Sequence, residues 1–344
     1  MAQSAARPAA PEPSVQTLLD AEVRPVPSVL RQVGTAAVPV GHIDRRRYFD
    51  PAFEGQEQER LWSRCWQMAC REEDIPEAGD FILHDMGSSS LLVTRQADGG
   101  VLALVNACLH RGRRLRDCDG HAEHFRCPFH GFSWHLDGSC RSLVNGWDFA
   151  HVEQDAFRLP RAHVGRWGGF IFVNPAEDAE PFEQFLEFLP AHYATRGWDL
   201  SQRVKAVHVK KLHRCNWKVA LEAFIESFHV TETHRGAGDY LGFLPLGDDP
   251  DQCSMEIMFL LPATAGRDMP VAREPQLIGF DVSHREAAQL GGFAAVFDED
   301  MSNLAAIQKG LKSLRSPGPM TGAVQEARIR HFHRCLDTFM AAGG

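Results

Sequence analysis

The stretch that decides the fold runs from Cys108 to His130 and reads CLHRGRRLRDCDGHAEHFRCPFH. It contains two pairs of metal-binding side chains, Cys108-x-His110 and Cys127-x-x-His130, with sixteen residues between them. Each pair combines one cysteine with one histidine. This order suits two hairpin loops that close on a single metal centre.

A mixed Cys/His quartet can bind a Rieske [2Fe–2S] cluster, in which two thiolates hold one iron and two imidazoles hold the other. The alternative is a structural zinc ion, since Cys₂His₂ also suits tetrahedral zinc. Zinc sites usually group like ligands, with a Cys pair followed by a His pair. The mixed pairs therefore favour the cluster and leave zinc as the second interpretation.

Length and composition indicate an ordinary globular protein of two domains, since the chain has 344 residues, 44% hydrophobic and 24% charged. A net charge of −9 argues against nucleic acid and anionic membrane as main partners. No run of eighteen apolar residues predicts a transmembrane helix, and no signal peptide is expected at the N-terminus. Nine scattered cysteines indicate reduced thiols and a cytoplasmic location.

The pattern along the chain predicts five segments: a flexible N-terminal arm (1–40), an N-terminal helix (41–65), the cluster domain (66–177), a linker (178–204) and a second domain (205–344). The helix is expected over 51–65, with Asp50 as its cap and Pro51 in its first turn. Short apolar runs between Gly, Pro and Asp turns predict an all-β cluster domain. Asp98-Gly99-Gly100 predicts a hairpin turn within it.

A second metal-binding pattern lies in NWKVALEAFIESFHVTETH, residues 216–234. Asn216 caps a predicted helix that places Glu222, Glu226 and His229 on one face. His234 can meet the same metal only if this helix kinks or ends. Two histidines and a carboxylate on one triangular face are typical of non-haem Fe(II) oxygenases. Lys218 and Glu222 are predicted to form an (i, i+4) pair.

A distant carboxylate must complete such an iron site. Asp298-Glu299-Asp300 precedes a helical run predicted over 301–314, which contains Gln308-Lys309-Gly310-Leu311. Acidic residues at a helix start also suit the helix dipole, so capping is the competing interpretation of this run.

These motifs resemble the large (α) subunit of Rieske non-haem iron oxygenases of the aromatic-ring-hydroxylating type. Arg111-Gly112 follows the first His, and PFHGFSW surrounds the second (128–134). The resemblance implies an α+β fold, with an all-β Rieske domain and a helix-grip catalytic domain of antiparallel sheet and long helices. It assigns Asp300 as the iron ligand beside His229 and His234, with Asp298 as the fallback.

The resemblance further implies that Glu226 bridges the two metal sites across a subunit boundary, in a homotrimer or an α₃β₃ assembly. The implied activity is that of a terminal oxygenase, which takes electrons from a separate reductase, with or without a ferredoxin. With O₂ it would hydroxylate a small organic substrate, aromatic or polycyclic; monooxygenation or demethylation is the alternative. NAD(P)H would bind to the reductase.

One departure from the family is the short segment of 65 residues between His234 and Asp300. The catalytic domain is therefore expected to be shortened, with residues 243–263 forming one late strand of its sheet. Two other functions stay open: a Rieske electron carrier without oxygenase chemistry, and a ligand-binding module whose catalysis is impaired by the missing segment.

Overall fold

The computed structural model describes residues 15–26, 28–31, 39–87, 89–195, 197, 199–226, 240–263, 271–272 and 274–342. Within these residues the chain forms two parts in order along the sequence. The first is built from β-strands, and the second combines a smaller, mostly antiparallel sheet with helices. The predicted α+β fold class is confirmed.

Helices lead into the first part. They are α1 (Val15–Ala21) and α2 (Pro51–Glu57), the latter continued by a π-helical turn (Gln58–Trp62). As predicted, Asp50 caps α2, and its carboxylate accepts a hydrogen bond of 2.9 Å from the Ala52 N–H. The helix predicted over 51–65 thus ends at the π-helical turn.

In its described residues the first part contains ten strands. They are β1 (Gln67–Arg71), β2 (Asp80–Met86), β3 (Ser89–Arg95), β4 (Val101–Val105), β5 (Gly120–His121), β6 (Phe125–Arg126), β7 (Ser133–Trp134), β8 (Cys140–Ser142), β9 (Arg161–Trp167) and β10 (Phe170–Asn174). Seven strands form one sheet in the order β1-β10-β9-β4-β3-β2-β5, and β6-β7-β8 form another. The predicted hairpin turn at Asp98-Gly99-Gly100 joins the antiparallel strands β3 and β4.

The large sheet buries side chains on both faces, because they alternate along each strand. On β3, Leu92 packs towards Phe125, Trp134 and the two cluster cysteines. Its neighbours Leu91 and Val93 pack on the opposite face. The loops that carry the cysteines therefore rest on a packed apolar core.

The second part follows two short helices, α3 (Phe182–Leu186) and α4 (Leu189–Thr195). Its elements are β11 (Arg203–His213), α5 (Trp217–Ile225), β12 (Tyr240–Pro245), β13 (Cys253–Pro262), β14 (Gln276–Ile278), α6 (Phe293–Met301), α7 (Leu304–Ser313) and α8 (Ala327–Ala342). The sheet order is β12-β13-β11-β14, and only β14 runs parallel to its neighbour. α5 packs on this sheet, with the rings of Phe224 and Phe243 5.2 Å apart.

The single late strand expected over 243–263 is wrong, because this segment contributes to two strands. β12 and β13 pair antiparallel, with Phe243 opposite Met255 and Pro245 opposite Cys253. The turn between them contains Asp249, whose side chain accepts from the N–H of Asp251. Such an Asx turn reverses the chain where the pattern looked continuous.

The acidic run before α7 also differs from expectation. α6 ends at Met301 and α7 begins at Leu304, so Asp298 and Asp300 lie in the last turn of α6. Negative charge at a helix C-terminus is unfavourable with the helix dipole. The capping interpretation of this run is therefore wrong, and other contacts must stabilise its carboxylates.

A buried ion pair attaches α5 to α2. The Lys218 Nζ donates to Glu57 Oε2 at 2.6 Å, and both side chains are fully buried. The Trp217 indole N–H donates to the same oxygen at 3.3 Å. The predicted (i, i+4) partner of Lys218, Glu222, instead bonds to other residues.

Glu54, one turn before Glu57, generates a prediction about pH. Burial raises the pKa of Glu54 to about 7, although the Lys218 ammonium lowers it and the Glu57 carboxylate raises it further. Folding therefore favours protonated Glu54; this stabilisation is present below pH 4.5 and is lost as pH rises through about 7. We expect Glu54→Gln to raise the free energy of unfolding at pH 8 by roughly 1–3 kcal/mol.

The measurement is urea unfolding of both proteins at pH 4 and pH 8. The matched control is Glu59→Gln, an exposed carboxylate in the following turn, which should change little. A stabilisation by Glu54→Gln that is equal at both pH values would contradict the assignment.

Candidate metal sites

The two cluster loops share one backbone frame. In each, the cysteine N–H donates to the carbonyl five residues later: Cys108 to Arg113 at 2.9 Å and Cys127 to Phe132 at 2.8 Å. In each, the glycine four residues after the cysteine donates back to its carbonyl, at 2.8 Å from Gly112 and 3.0 Å from Gly131. The similarity of the frames brings the two pairs to one place, although the histidine spacing differs.

Each cysteine sulfur lies among backbone N–H groups. The amides of His110 and Arg111 bond to the Cys108 sulfur, and those of Phe129 and His130 to the Cys127 sulfur. Burial raises the pKa of Cys127, but these amides outweigh it, so the pKa lies below its ordinary value. Amide donors stabilise thiolates, which are the form that binds metal.

The two histidines of the quartet lie against each other, edge to face. The rings of His110 and His130 have centroids 4.7 Å apart at 67°. The Nδ1 atom of His110 is buried without a hydrogen-bond partner, and Phe132 stacks on its ring at 4.7 Å. A buried, unpaired imidazole nitrogen is costly unless it binds something. This orphaned atom and the two buried thiols fit a [2Fe–2S] cluster.

No group of three or more His, Cys, Asp or Glu side chains surrounds one point among the described residues. A Rieske cluster does not need such a group, because each of its two irons takes two protein ligands.

The second site lies at the end of α5. This helix begins at the predicted cap Asn216, whose side chain accepts from the Lys218 N–H at 3.1 Å. It ends at Ile225, so Glu226 is no longer helical and has φ −121° and ψ 164°. The sequence predicted that Glu226 shares a helical face with Glu222. This prediction is wrong, because the helix ends before Glu226.

The two predicted iron ligands of this segment, His229 and His234, lie outside the described residues.

A cavity of about 230 Å³ opens beside the end of α5. Four carboxylates line it: Glu222 on α5, Glu226 just after α5, Asp300 on α6 and Glu326 just before α8. Apolar side chains of α5, α7 and α8 form much of the remaining wall, namely Val219, Ala223, Leu304, Ile307, Leu311 and Ile329. The arrangement provides carboxylate ligands for a hard cation next to space for an apolar molecule.

Asp300 and Asp298 have different surroundings. Asp300 is 6% exposed and lines this cavity. Asp298 accepts from the His284 N–H and the His284 Nδ1, each at 2.8 Å, and from the Ser283 hydroxyl. Burial raises the pKa of Asp298, but these donors hold it below its ordinary value. Asp298 is thus engaged in joining α6 to the preceding turn.

Sequence reasoning missed the two residues that bond to Glu222, Tyr48 and His333, and it gave Gln308 only as part of a motif. The Tyr48 hydroxyl donates to Glu222 Oε1 at 2.9 Å, and His333 Nε2 lies 2.8 Å from the same oxygen. Gln308 donates to the Tyr48 carbonyl at 2.7 Å and accepts from the Asn216 N–H at 3.1 Å. Tyr48 and His333 are 285 residues apart, and neither lies in a motif that could have indicated the contact.

Comparisons with known proteins match segments in both parts of the chain. The family model of the Rieske [2Fe–2S] domain matches residues 65–145, and that of the ring-hydroxylating α subunit catalytic domain matches 201–243. The predicted resemblance to this family is confirmed by these two matches.

Two curated relatives illustrate the similarity. The biphenyl 2,3-dioxygenase α subunit of Rhodococcus jostii (strain RHA1) is 31% identical over 61% of this chain and 46% of its own length. The carnitine monooxygenase oxygenase subunit of Escherichia coli (strain K12) is 23% identical over 86% of this chain and 92% of its own length. The chain spans about half the length of the dioxygenase subunits it matches.

Solved structures show the same fold. The apo form of a quaternary ammonium Rieske monooxygenase superposes with a TM-score of 0.71, covering 88% of this chain and 96% of that chain at 16% identity. Naphthalene 1,2-dioxygenase from Rhodococcus sp. bound to indole gives a TM-score of 0.68, with 88% and 94% coverage at 18% identity.

None of the helices in the described residues has both the length and the apolar character to cross a membrane.

The shared loop frame predicts different responses at its two glycines. Gly112 and Gly131 have φ of +72° and +81°, a region that costs other residues about 1–2 kcal/mol. A Cβ at Gly112 would meet nothing within 4 Å, but one at Gly131 would lie 2.8 Å from Arg126 Nη2 and 3.2 Å from Val144 Cγ2. The exposed end of Arg126 can move aside, but Val144 must shift by a few tenths of an ångström. We therefore expect Gly131→Ala to destabilise the protein slightly more than Gly112→Ala.

Thermal unfolding and the visible absorption of the cluster would measure this difference. Gly112→Ala serves as the matched control, because it has the backbone strain without the steric contact. Equal losses in the two variants would contradict a role for side-chain crowding at Gly131.

Proposed function

We propose that this chain, which carries a Rieske [2Fe–2S] domain and a ring-hydroxylating catalytic domain, is a terminal oxygenase that uses O₂ to hydroxylate a small organic substrate. The observation that carries the proposal is the presence in one chain of a cluster site and a separate cavity lined by carboxylates. An electron carrier would need only the cluster site. A terminal oxygenase would need both the cluster site and the carboxylate-lined cavity.

Two metal groups are part of this proposal. Cys108 and Cys127 would hold one iron of the cluster, and His110 and His130 the other. Asp300 would join His229 and His234 at a mononuclear Fe(II). When bound, the cluster would supply single electrons and the Fe(II) would supply the chemistry that activates O₂.

Other proteins must supply the electrons. The 344 residues contain no Gly-rich dinucleotide motif and no Cys₄ ferredoxin pattern. We therefore propose a separate NAD(P)H-dependent reductase, with or without a ferredoxin, as the donor. The nine cysteines are all free thiols, which supports a cytoplasmic location.

An assembly of several copies is supported by apolar side chains around the cluster. Phe129 is 58% exposed, with its ring 3.7 Å from that of His130, and Trp147 is 81% exposed nearby in sequence. Exposed apolar patches are typical of protein interfaces. We propose that this surface meets Glu226 of a neighbouring copy, in a homotrimer or an α₃β₃ assembly, and that Glu226 bridges the two metal sites.

The cavity wall limits the substrate. Tyr48 is the only aromatic residue among the described residues that line it, and the other apolar side chains are aliphatic. A small apolar or aromatic group of the substrate would fit in this cavity. The match to carnitine monooxygenase over most of its length favours a second candidate, monooxygenation or demethylation of an amine. Oxygen uptake with a heterologous reductase and panels of aromatics and quaternary amines would decide between them.

The iron sites generate a prediction of metal content. We expect about three irons per chain, two in a Rieske cluster and one mononuclear. Asp300→Asn should lower this to about two while the Rieske spectrum persists, because one ligand of the mononuclear iron is removed. Metal analysis and electron paramagnetic resonance would measure both quantities.

The matched control is Asp298→Asn, which should keep all the iron but lower the melting temperature, since Asp298 accepts bonds from Ser283 and His284. Full iron in Asp300→Asn, or zinc alone in the wild-type protein, would overturn the assignment.

The bridging role predicts a separate phenotype for Glu226→Gln. The variant should retain both iron signals but lose most coupled turnover, because the amide cannot act as a carboxylate between imidazole N–H groups. Single-turnover oxidation of the reduced cluster in the presence of substrate would test this. Wild-type kinetics in the variant would count against the bridge.

A further inference from the structure

We propose that Glu222 and His333 form a proton relay into the cavity, in which Glu222 donates protons to oxygen as it is reduced and His333 resupplies Glu222. This inference rests on the proposed function, because it concerns the same cavity. It assigns a role to two residues that are outside both sets of metal ligands.

The geometry places Glu222 between the cavity and His333. Glu222 lines the cavity together with Glu226 and Asp300, whereas His333 lies behind it and is 5% exposed. His333 Nε2 is 2.8 Å from Glu222 Oε1, and the Tyr48 hydroxyl is 3.2 Å from the same nitrogen. The three groups thus form a closed set of hydrogen bonds on the cavity wall.

The tautomer of His333 follows from its other neighbour. Arg47 Nη1 lies 3.4 Å from His333 Nδ1, and a guanidinium can only donate. Nδ1 is then the acceptor, so the proton resides on Nε2 and points at Glu222. Burial and the Glu222 carboxylate raise the pKa of Tyr48 well above its ordinary value, so its hydroxyl stays a donor. Both donors converge on the oxygen that the relay would protonate.

A route to the surface continues beyond His333. Arg47 pairs with Asp337, whose side chain is 55% exposed. The chain of contacts therefore runs from solvent at α8, through His333, to the wall of the cavity. Nδ1 of His333 is the end at which a solvent proton would enter, as the bond to Arg47 is released.

The proposed reaction requires such a supply. Hydroxylation with one oxygen atom, RH + O₂ + 2e⁻ + 2H⁺ → ROH + H₂O, consumes two protons, and adding both atoms to an arene consumes two as well. The electrons come from the separate reductase. In each transfer the Glu222 O–H bond breaks and the reduced oxygen gains the proton. A solvent proton binds His333 Nδ1 as the Nε2–H bond breaks, and the Nε2 proton restores Glu222. Proton exchange with solvent then returns His333 from the Nδ1–H to the Nε2–H tautomer before the next transfer.

Other charged groups lie near Glu222. Lys218, one turn earlier on α5, interacts with it electrostatically. Across the cavity lie the carboxylates of Glu226, Asp300 and Glu326. Glu222 is the carboxylate of this set with an imidazole N–H aimed at it in the described residues.

The main test compares Glu222→Gln with Tyr48→Phe in the fully assembled protein, with reductase supplied. Glu222→Gln keeps the shape and the hydrogen bonds but cannot carry a proton. We expect coupled product formation to fall on the order of 10²-fold, as general acids contribute, with hydrogen peroxide released instead. Tyr48→Phe removes a hydrogen bond from the same set without breaking the relay, so its loss should be much smaller and its pH profile should keep the wild-type form.

Glu222→Asp should restore part of the rate, and His333→Gln should reproduce the loss while excess imidazole relieves it. Iron content and melting temperature must stay near wild type in Glu222→Gln. A wild-type rate and pH profile in Glu222→Gln would overturn the relay. Equal losses of activity in Tyr48→Phe and Glu222→Gln would also overturn it, and would show that these hydrogen bonds have only a structural role.

A readout independent of turnover uses the metal-free protein. Nitrogen-15 NMR of histidine should show His333 as the Nε2–H tautomer, with a signal that Glu222→Gln shifts strongly. The Nδ1–H tautomer, or a signal indifferent to Glu222→Gln, would overturn the relay. If the wild-type protein takes up no oxygen with any substrate, the proposed function fails, and this spectrum alone then decides whether the proton pathway exists.

Discussion

The buried ion pair between Lys218 and Glu57 is the constraint on which the second site depends. Two full charges without solvent are costly, and they persist only when they meet at hydrogen-bonding distance. Their 2.6 Å contact therefore attaches α5 to α2 in one relative position. Removing one partner would cost about 3–5 kcal/mol, because the other would remain as a buried charge. The position of α5 in turn determines where the carboxylates of Glu222 and Glu226 lie.

The cluster site depends on backbone geometry more than on side-chain packing. The two loops close with the same hydrogen bonds, and each turns at a glycine with positive φ. This frame directs backbone amides at both sulfurs and leaves His110 Nδ1 without a partner. The loops therefore place amide donors at both sulfurs, lower the pKa of the Cys127 thiol and leave an open imidazole nitrogen before any metal binds, although burial raises the pKa of Cys108. The same frame tolerates one or two residues between Cys and His.

The cavity shows how charges of one sign can be held together. Glu222 is satisfied by Tyr48 and His333, and Asp298 by Ser283 and His284. Asp300 lies on the cavity wall in the last turn of α6, where the helix dipole disfavours a carboxylate. Electrostatic cost at this position is what a cation would relieve. That cost supports the proposed iron site. It also distinguishes Asp300 from Asp298, whose carboxylate accepts hydrogen bonds from Ser283 and His284.

The sequence by itself determined the local features: the Cys/His pairs, the caps at Asp50 and Asn216, and the turn at Asp98-Gly99-Gly100. Each depends on residues close in the chain, so spacing and residue type were sufficient. Only the tertiary structure decided the partner of Lys218, the break between α6 and α7, and the contact of Tyr48 with His333. Those outcomes depend on burial and on contacts between distant segments, where the desolvation of a charge selects its partner regardless of sequence separation.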